Sequence, residues 1–116
     1  MKTLLLSAVL VLSGCSTISN LLPRNHDPVM FDQVVAIDIA LNKTNCSNRD
    51  WGNLLERVHH LKVYTELRKD PQATSIAQLE EALLKANNSK NDKFCDSILT
   101  INKTRVQVIE DAWRGR

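Results

Sequence analysis

Apolar residues along this chain fall into two regimes, a short block near the start and a longer stretch where they recur every three or four positions. The block runs from Leu4 to Leu12, interrupted only by Ser7, and follows one cationic residue, Lys2. From Ser16 to Asp27 the pattern lapses into Ser, Thr, Asn and Pro23 around one apolar doublet, Leu21-Leu22. Proline biases the residue before it away from helix, so this stretch is expected to be an extended tether. Periodicity begins at Asp27-Pro28, an N-cap residue followed by a proline suited to the first helical position. Met30, Val34, Ile37 and Leu41 then recur at helical spacing beside Phe31, Val35 and Ile39, and the polar run Asn42 to Asn48 ends that helix. Asp38 falls near this stripe and reads as an edge residue.

A second helix is expected from Asn48–Asp50, with Trp51, Leu54, Leu55, Val58, Leu61 and Thr65 or Leu67 inward and Lys69-Asp70-Pro71 closing it. A third opens at Ser75, where Ser75-Ile76-Ala77-Gln78 reads as a capping box. Ile76, Leu79, Leu83 and Ala86 line its core face, and Asn87-Asn88-Ser89 stops it. The last helix is the longest, from about Asp92 to Trp113, and carries two adjacent rows. One row holds Phe94, Ile98, Ile101, Arg105, Val108 and Ala112; the other holds Cys95, Leu99, Asn102, Val106, Ile109 and Trp113. Two such rows have the width of a helix packed on one side, so core burial of both is the leading expectation. The alternative makes Phe94, Ile98, Ile101, Arg105, Val108 and Trp113 a partner-binding stripe, since their spacing is near-heptad.

Composition narrows the class. The 116 residues suffice for one domain, and three Gly with three Pro are too few for a turn-rich all-β fold. Aromatics are only 4%, which requires an aliphatic core. Fifteen Lys and Arg against thirteen Asp and Glu give a net charge of +2, which argues against a nucleic-acid partner. The expectation is all-α, a small bundle of about four helices over residues 28–116.

The apolar block supplies an address. A charged start, a short apolar core and small residues before a cleavage point make a secretory signal peptide, too short to span a bilayer as a mature helix. Its last residues, Leu12-Ser13-Gly14-Cys15, resemble the lipobox of bacterial lipoproteins. That resemblance implies a signal peptide over 1–14, diacylation of the Cys15 thiol and cleavage just before it. It further implies, from Ser16 at the second mature position, sorting to the outer membrane. Residues 15–27 would then be the lipidated cysteine and tether, with the body in the periplasm. Covalent acyl lipid on Cys15 is the only attached group expected; no cofactor is.

With Cys15 acylated, Cys46 and Cys95 remain as an even pair in an oxidising compartment. An intramolecular bridge would close a loop of about 50 residues and contribute roughly 4 kcal/mol through chain entropy. A disulfide-linked homodimer is the alternative. Catalysis has little to stand on. His26 lies in the tether, and the adjacent His59 and His60 point about 100° apart on a helix, the first expected half-buried and the second solvated. No Gly-rich loop, nucleophile elbow or zinc-type spacing occurs, so neither an enzyme nor a metal site is expected. Asn42, Asn45, Asn87 and Asn102 head Asn-x-Ser/Thr triplets, expected to be chance matches in a bacterial-type lipoprotein. The basic ending Trp113-Arg114-Gly115-Arg116 reads first as a frayed helix end and second as a docking element.

In layout the chain resembles the outer lipoprotein subunits of phage spanin complexes, which fuse outer and inner membranes in the last step of lysis. The shared features are Leu12-Ser13-Gly14-Cys15, small size, no second membrane segment and a periplasmic helical body with further cysteines. The resemblance implies a periplasmic or inner-membrane protein partner. Pilotins of secretion systems are similar in being small lipidated helical domains with one internal disulfide, here Cys46 and Cys95. They clamp an amphipathic helix of a secretin and escort it to the outer membrane. A third reading is an inhibitor that blocks a surface receptor or lytic enzyme. A bridge would present the helix Phe94 to Trp113 to another chain, whereas a clamp would hold a vacant apolar groove.

Overall fold

Asp27 starts the first helix. Its carboxylate accepts from the N–H groups of Val29 (2.9 Å) and Met30 (3.2 Å), and Pro28 needs no partner at the first helical position. The computed structural model describes residues 25–116, which form α1 (Pro28–Asn42), α2 (Gly52–Leu67), α3 (Ala73–Asn88) and α4 (Asp92–Arg114). There is no strand among the described residues, so the fold class is all-α. Cys15, the expected signal peptide and the expected tether as far as Arg24 lie outside the described residues.

Each helix packs on two others: α1 on α2 and α4, and α3 on α2 and α4. Polar ties at the two ends set the directions. Asp27 at the start of α1 accepts from the Tyr64 hydroxyl at 3.0 Å and the Arg68 Nε at 3.0 Å, both at the end of α2. Cys46, just after α1, is bonded to Cys95 at the start of α4, with Cα atoms 6.1 Å apart. The bundle therefore runs up-down-up-down, each helix antiparallel to its neighbours. Val34, Ile37, Leu41, Val58, Leu61, Ile76, Leu79, Leu83, Val106 and Ile109 fill its middle, and all are at or below 1% exposure. The low aromatic content is met by two tryptophans, one near each end. Buried Trp51 donates from Nε1 to the Asn45 carbonyl at 3.1 Å, and buried Trp113 donates to Asp70 Oδ1 at 3.2 Å.

Two boundaries differ from the sequence pattern. The capping box at Ser75 does not form, because α3 starts two residues earlier at Ala73. Asp70 Oδ1 takes the Gln72 N–H at 2.9 Å, which organises the turn before the helix, and Ser75 makes no capping bond. Helix α2 begins after Trp51 without a side-chain cap rather than on Asn48–Asp50. Its C-terminus closes as a Schellman turn, with Lys69 N–H to the Glu66 carbonyl and Asp70 N–H to the Thr65 carbonyl, each 3.0 Å. This turn places Lys69 at φ 52°, a left-handed conformation that usually favours glycine. The last two residues assigned to the expected tether are held against the bundle. His26 Nδ1 lies 3.3 Å from the Trp113 carbonyl and its ring 5.6 Å from Phe31, and Asp27 is buried, so both residues belong to the domain.

Candidate functional site

The disulfide decides which row of α4 faces the core. Cys95 must meet Cys46, so its whole row turns inward: Cys95, Leu99, Asn102, Val106, Ile109 and Trp113 are all buried. The neighbouring row lies about 100° round the helix and cannot be buried by the same contacts. Phe94, Ile101 and Val108 are accordingly 43%, 62% and 60% exposed, while Ile98 and Arg105 are half-buried at the edge. The expectation that both rows are core is corrected: the first row is an outward apolar strip. Trp113 is the exception among the proposed stripe residues. It is 2% exposed and belongs to the core, not to the strip.

The strip lies on the side of α4 nearest α3. Lys85 of α3 sits over the Phe94 ring with Nζ 6.0 Å from its centroid. Asn102, inward of the strip, donates to the Ile98 carbonyl at 2.8 Å and accepts from Arg105 Nη1 at 3.0 Å. That neutral bond holds the guanidinium against the strip. Four other arginines have carboxylate partners: Arg49 with Asp92 (2.8 Å), Arg68 with Asp27 (3.0 Å), Arg114 with Asp111 (2.8 Å) and Arg116 with Asp70 (2.5 Å). Arg105 has none among the described residues.

Both ends of the bundle hold α4 still. Arg49 donates to the carbonyls of Cys46 (3.1 Å), Ala86 (3.2 Å), Asn87 (3.0 Å) and Ser89, and pairs with Asp92. It thereby adds a donor to carbonyls at the end of α3, where the helix's own N–H groups run out. At the opposite end, buried Asp70 accepts from Trp113 and from both Arg116 terminal nitrogens. The C-terminal residues are therefore clamped, not frayed. Burial pushes the Asp70 carboxyl up, but Arg116, the Gln72 N–H and Trp113 outweigh it and leave its pKa below the ordinary value. Asp27 follows the same balance: burial raises it, and Met30, Tyr64, Val29 and Arg68 bring it below its usual range.

The remaining polar groups form no comparable site. Glu110 is raised to about 7 by burial first and then by Asp38 of α1, which shares a hydrogen bond with it and repels its charge. Asp38 is a half-buried edge residue, as its sequence position implied. An open groove of about 400 Å³ is lined by Gln33, Asn53, Glu56, Arg57 and His60, a polar set. His59 is exposed rather than half-buried, and its Nδ1 lies 2.7 Å from Glu80 Oε2, with Lys62 Nζ 3.4 Å from the other oxygen. Among the described residues no three His, Cys, Asp or Glu side chains gather to hold a metal, and no helix is long and apolar enough to cross a membrane. No protein-family model, curated protein or solved structure significantly matches this chain.

Proposed function

We propose that this protein is a non-enzymatic helical binding module, lipidated at Cys15, anchored in the outer membrane and facing the periplasm, that bridges to another envelope protein. The carrying observation is the outward row of α4, where Phe94, Ile101 and Val108 expose apolar surface on a rigidly held helix. A bundle that needed α4 only for its core would gain nothing from this second row. The specific role favoured is that of a spanin-type outer subunit meeting an inner-membrane partner during phage-induced lysis. Its support is the lipobox-like Leu12-Ser13-Gly14-Cys15 and a C-terminal helix available to another chain. A pilotin-type clamp is less well supported, since the open groove beside Gln33 and His60 is lined by polar side chains.

Two variants test the reading. Cys15→Ala should leave the protein unprocessed or released from the outer membrane on fractionation. Ile101→Asp should keep the fold and the membrane anchoring but abolish lysis or any other partner-dependent phenotype. Outer-membrane retention of Cys15→Ala refutes the anchor, and full function of Ile101→Asp refutes the binding face.

A further inference from the structure

We infer that the Phe94–Val108 strip of α4 seats one amphipathic helix of a different protein, and that this helix places a carboxylate against Arg105. The inference rests on the binding-module reading and names the chemistry of its partner. Fourteen residues of α4 separate the ends of the strip, a length of about 21 Å at 1.5 Å per residue. That suits a helix of four or five turns whose anchors recur at i, i+3/i+4 and i+7. The positions outward of the strip, Ser97, Thr100, Thr104 and Gln107, are exposed and uncharged. Arg105 is thus the one charge inside the strip.

Charge decides between occupants. Docking any helix over the strip takes water from a guanidinium whose one recorded side-chain partner is the neutral Asn102. An unpaired charge loses heavily on desolvation, so a stable complex needs an acid there. A second copy cannot provide one, because Phe94, Ile98, Ile101, Arg105 and Val108 include no carboxylate. Antiparallel pairing of two strips about Ile101 sets Arg105 near Ile98 of the other copy, and parallel pairing sets Arg105 against Arg105. The Phe94 end adds Lys85 and Lys93, neither of which has a described carboxylate partner. Asp111 and Arg114 at the other end already satisfy each other. The matching helix is therefore apolar along one seam, acidic at its middle and acidic again beside Phe94.

Two 21-residue helical peptides with Leu at the seam positions test this, one with Glu at the central seam position and one with Lys there. Binding is read by fluorescence anisotropy against the full lipidated chain, disulfide intact, in phosphatidylcholine nanodiscs, with empty nanodiscs as the blank. The Glu peptide should bind about tenfold tighter than the Lys peptide, and Arg105→Glu should invert that order. Ile101→Ser should weaken both peptides by about tenfold with an unchanged circular dichroism spectrum. Equal affinities, no binding of the Glu peptide, or an order unaffected by Arg105→Glu overturn the inference. Dimerisation in sedimentation that Ile101→Ser abolishes also overturns it, in favour of a second copy. If photo-crosslinks from positions 101 and 108 in cells still capture a protein while Arg105→Glu leaves that capture unchanged, this inference fails and the module reading stands. If neither position captures anything, the module reading itself fails.

Discussion

The two rows of α4 have nearly the same spacing and similar hydropathy, yet they differ in what they touch. The inner row, from Cys95 to Trp113, is covalently tied at its start and hydrogen-bonded to Asp70 at its end. The outer row, from Phe94 to Val108, touches the core through half-buried Ile98 and leaves Phe94, Ile101 and Val108 exposed. Hydrophobicity on a helix therefore does not by itself identify core. Contact with α1 and α3 covers one face of about 100°, and apolar residues beyond it are left outside that contact. The consequence is a separation of effects: inner-row changes should act on stability, and outer-row changes on binding.

The sharpest test is Trp113→Ala. It removes a large buried side chain and one of the donors to Asp70, and should lower unfolding free energy by about 4 kcal/mol in denaturant titration. Replacing both cysteines in Cys46→Ala/Cys95→Ala should cost roughly 3 kcal/mol, read as a lower thermal midpoint, with the helices retained. Of intermediate size is the effect of pH on the α1–α4 seam. Glu110 in the folded state titrates near 7, above its ordinary 4.5, so the fold is penalised above that pH and relieved as pH falls toward 4.5. Asp27 and Asp70 act oppositely. Their folded pKa values lie below the ordinary 3.8, so their stabilisation is complete above it and is lost as pH falls through the lowered values. Stability should therefore peak at about pH 4.5 and decline as pH rises through 7, and Glu110→Gln should gain about 1 kcal/mol at pH 8 and nothing at pH 4. The smallest effect is expected outside: Val108→Ser should shift stability by no more than about 0.5 kcal/mol. A loss comparable to that of Trp113→Ala would erase the distinction between the rows.

Much of this fold is written in local signals. Asp27-Pro28 marks the start of α1, the polar stretches near Asn42 and Asn87 mark helix ends, and the main apolar stripes of α1, α2 and α3 match their buried faces. The orientation of α4 was also legible, though only by joining two signals. Once Cys46 is bonded to Cys95, the row containing Cys95 must turn inward and the Phe94 row cannot. Hydropathy spacing alone treats the rows as equivalent. The clamp of Trp113 and Arg116 on Asp70 carries no such mark, because it joins the α2–α3 turn to the chain's last residue across 46 positions. The start of α3 was hidden for a similar reason: Asp70, which organises it, precedes the apparent capping box and is aimed by a left-handed Lys69. Cys15 and the stretch before Asn25 rest on the sequence pattern alone.

On the proposed function, the outer row of α4 is the working face of a lipid-anchored bridge. A photo-crosslinking amino acid placed in turn at 101, 108 and, as the buried control, 106 tests it in cells, with captured proteins identified by mass spectrometry. Positions 101 and 108 should capture the same single-pass inner-membrane protein through one of its helices, and 106 should capture nothing. Adducts from 106 equal to those from 101 and 108, or none from any position, would contradict it.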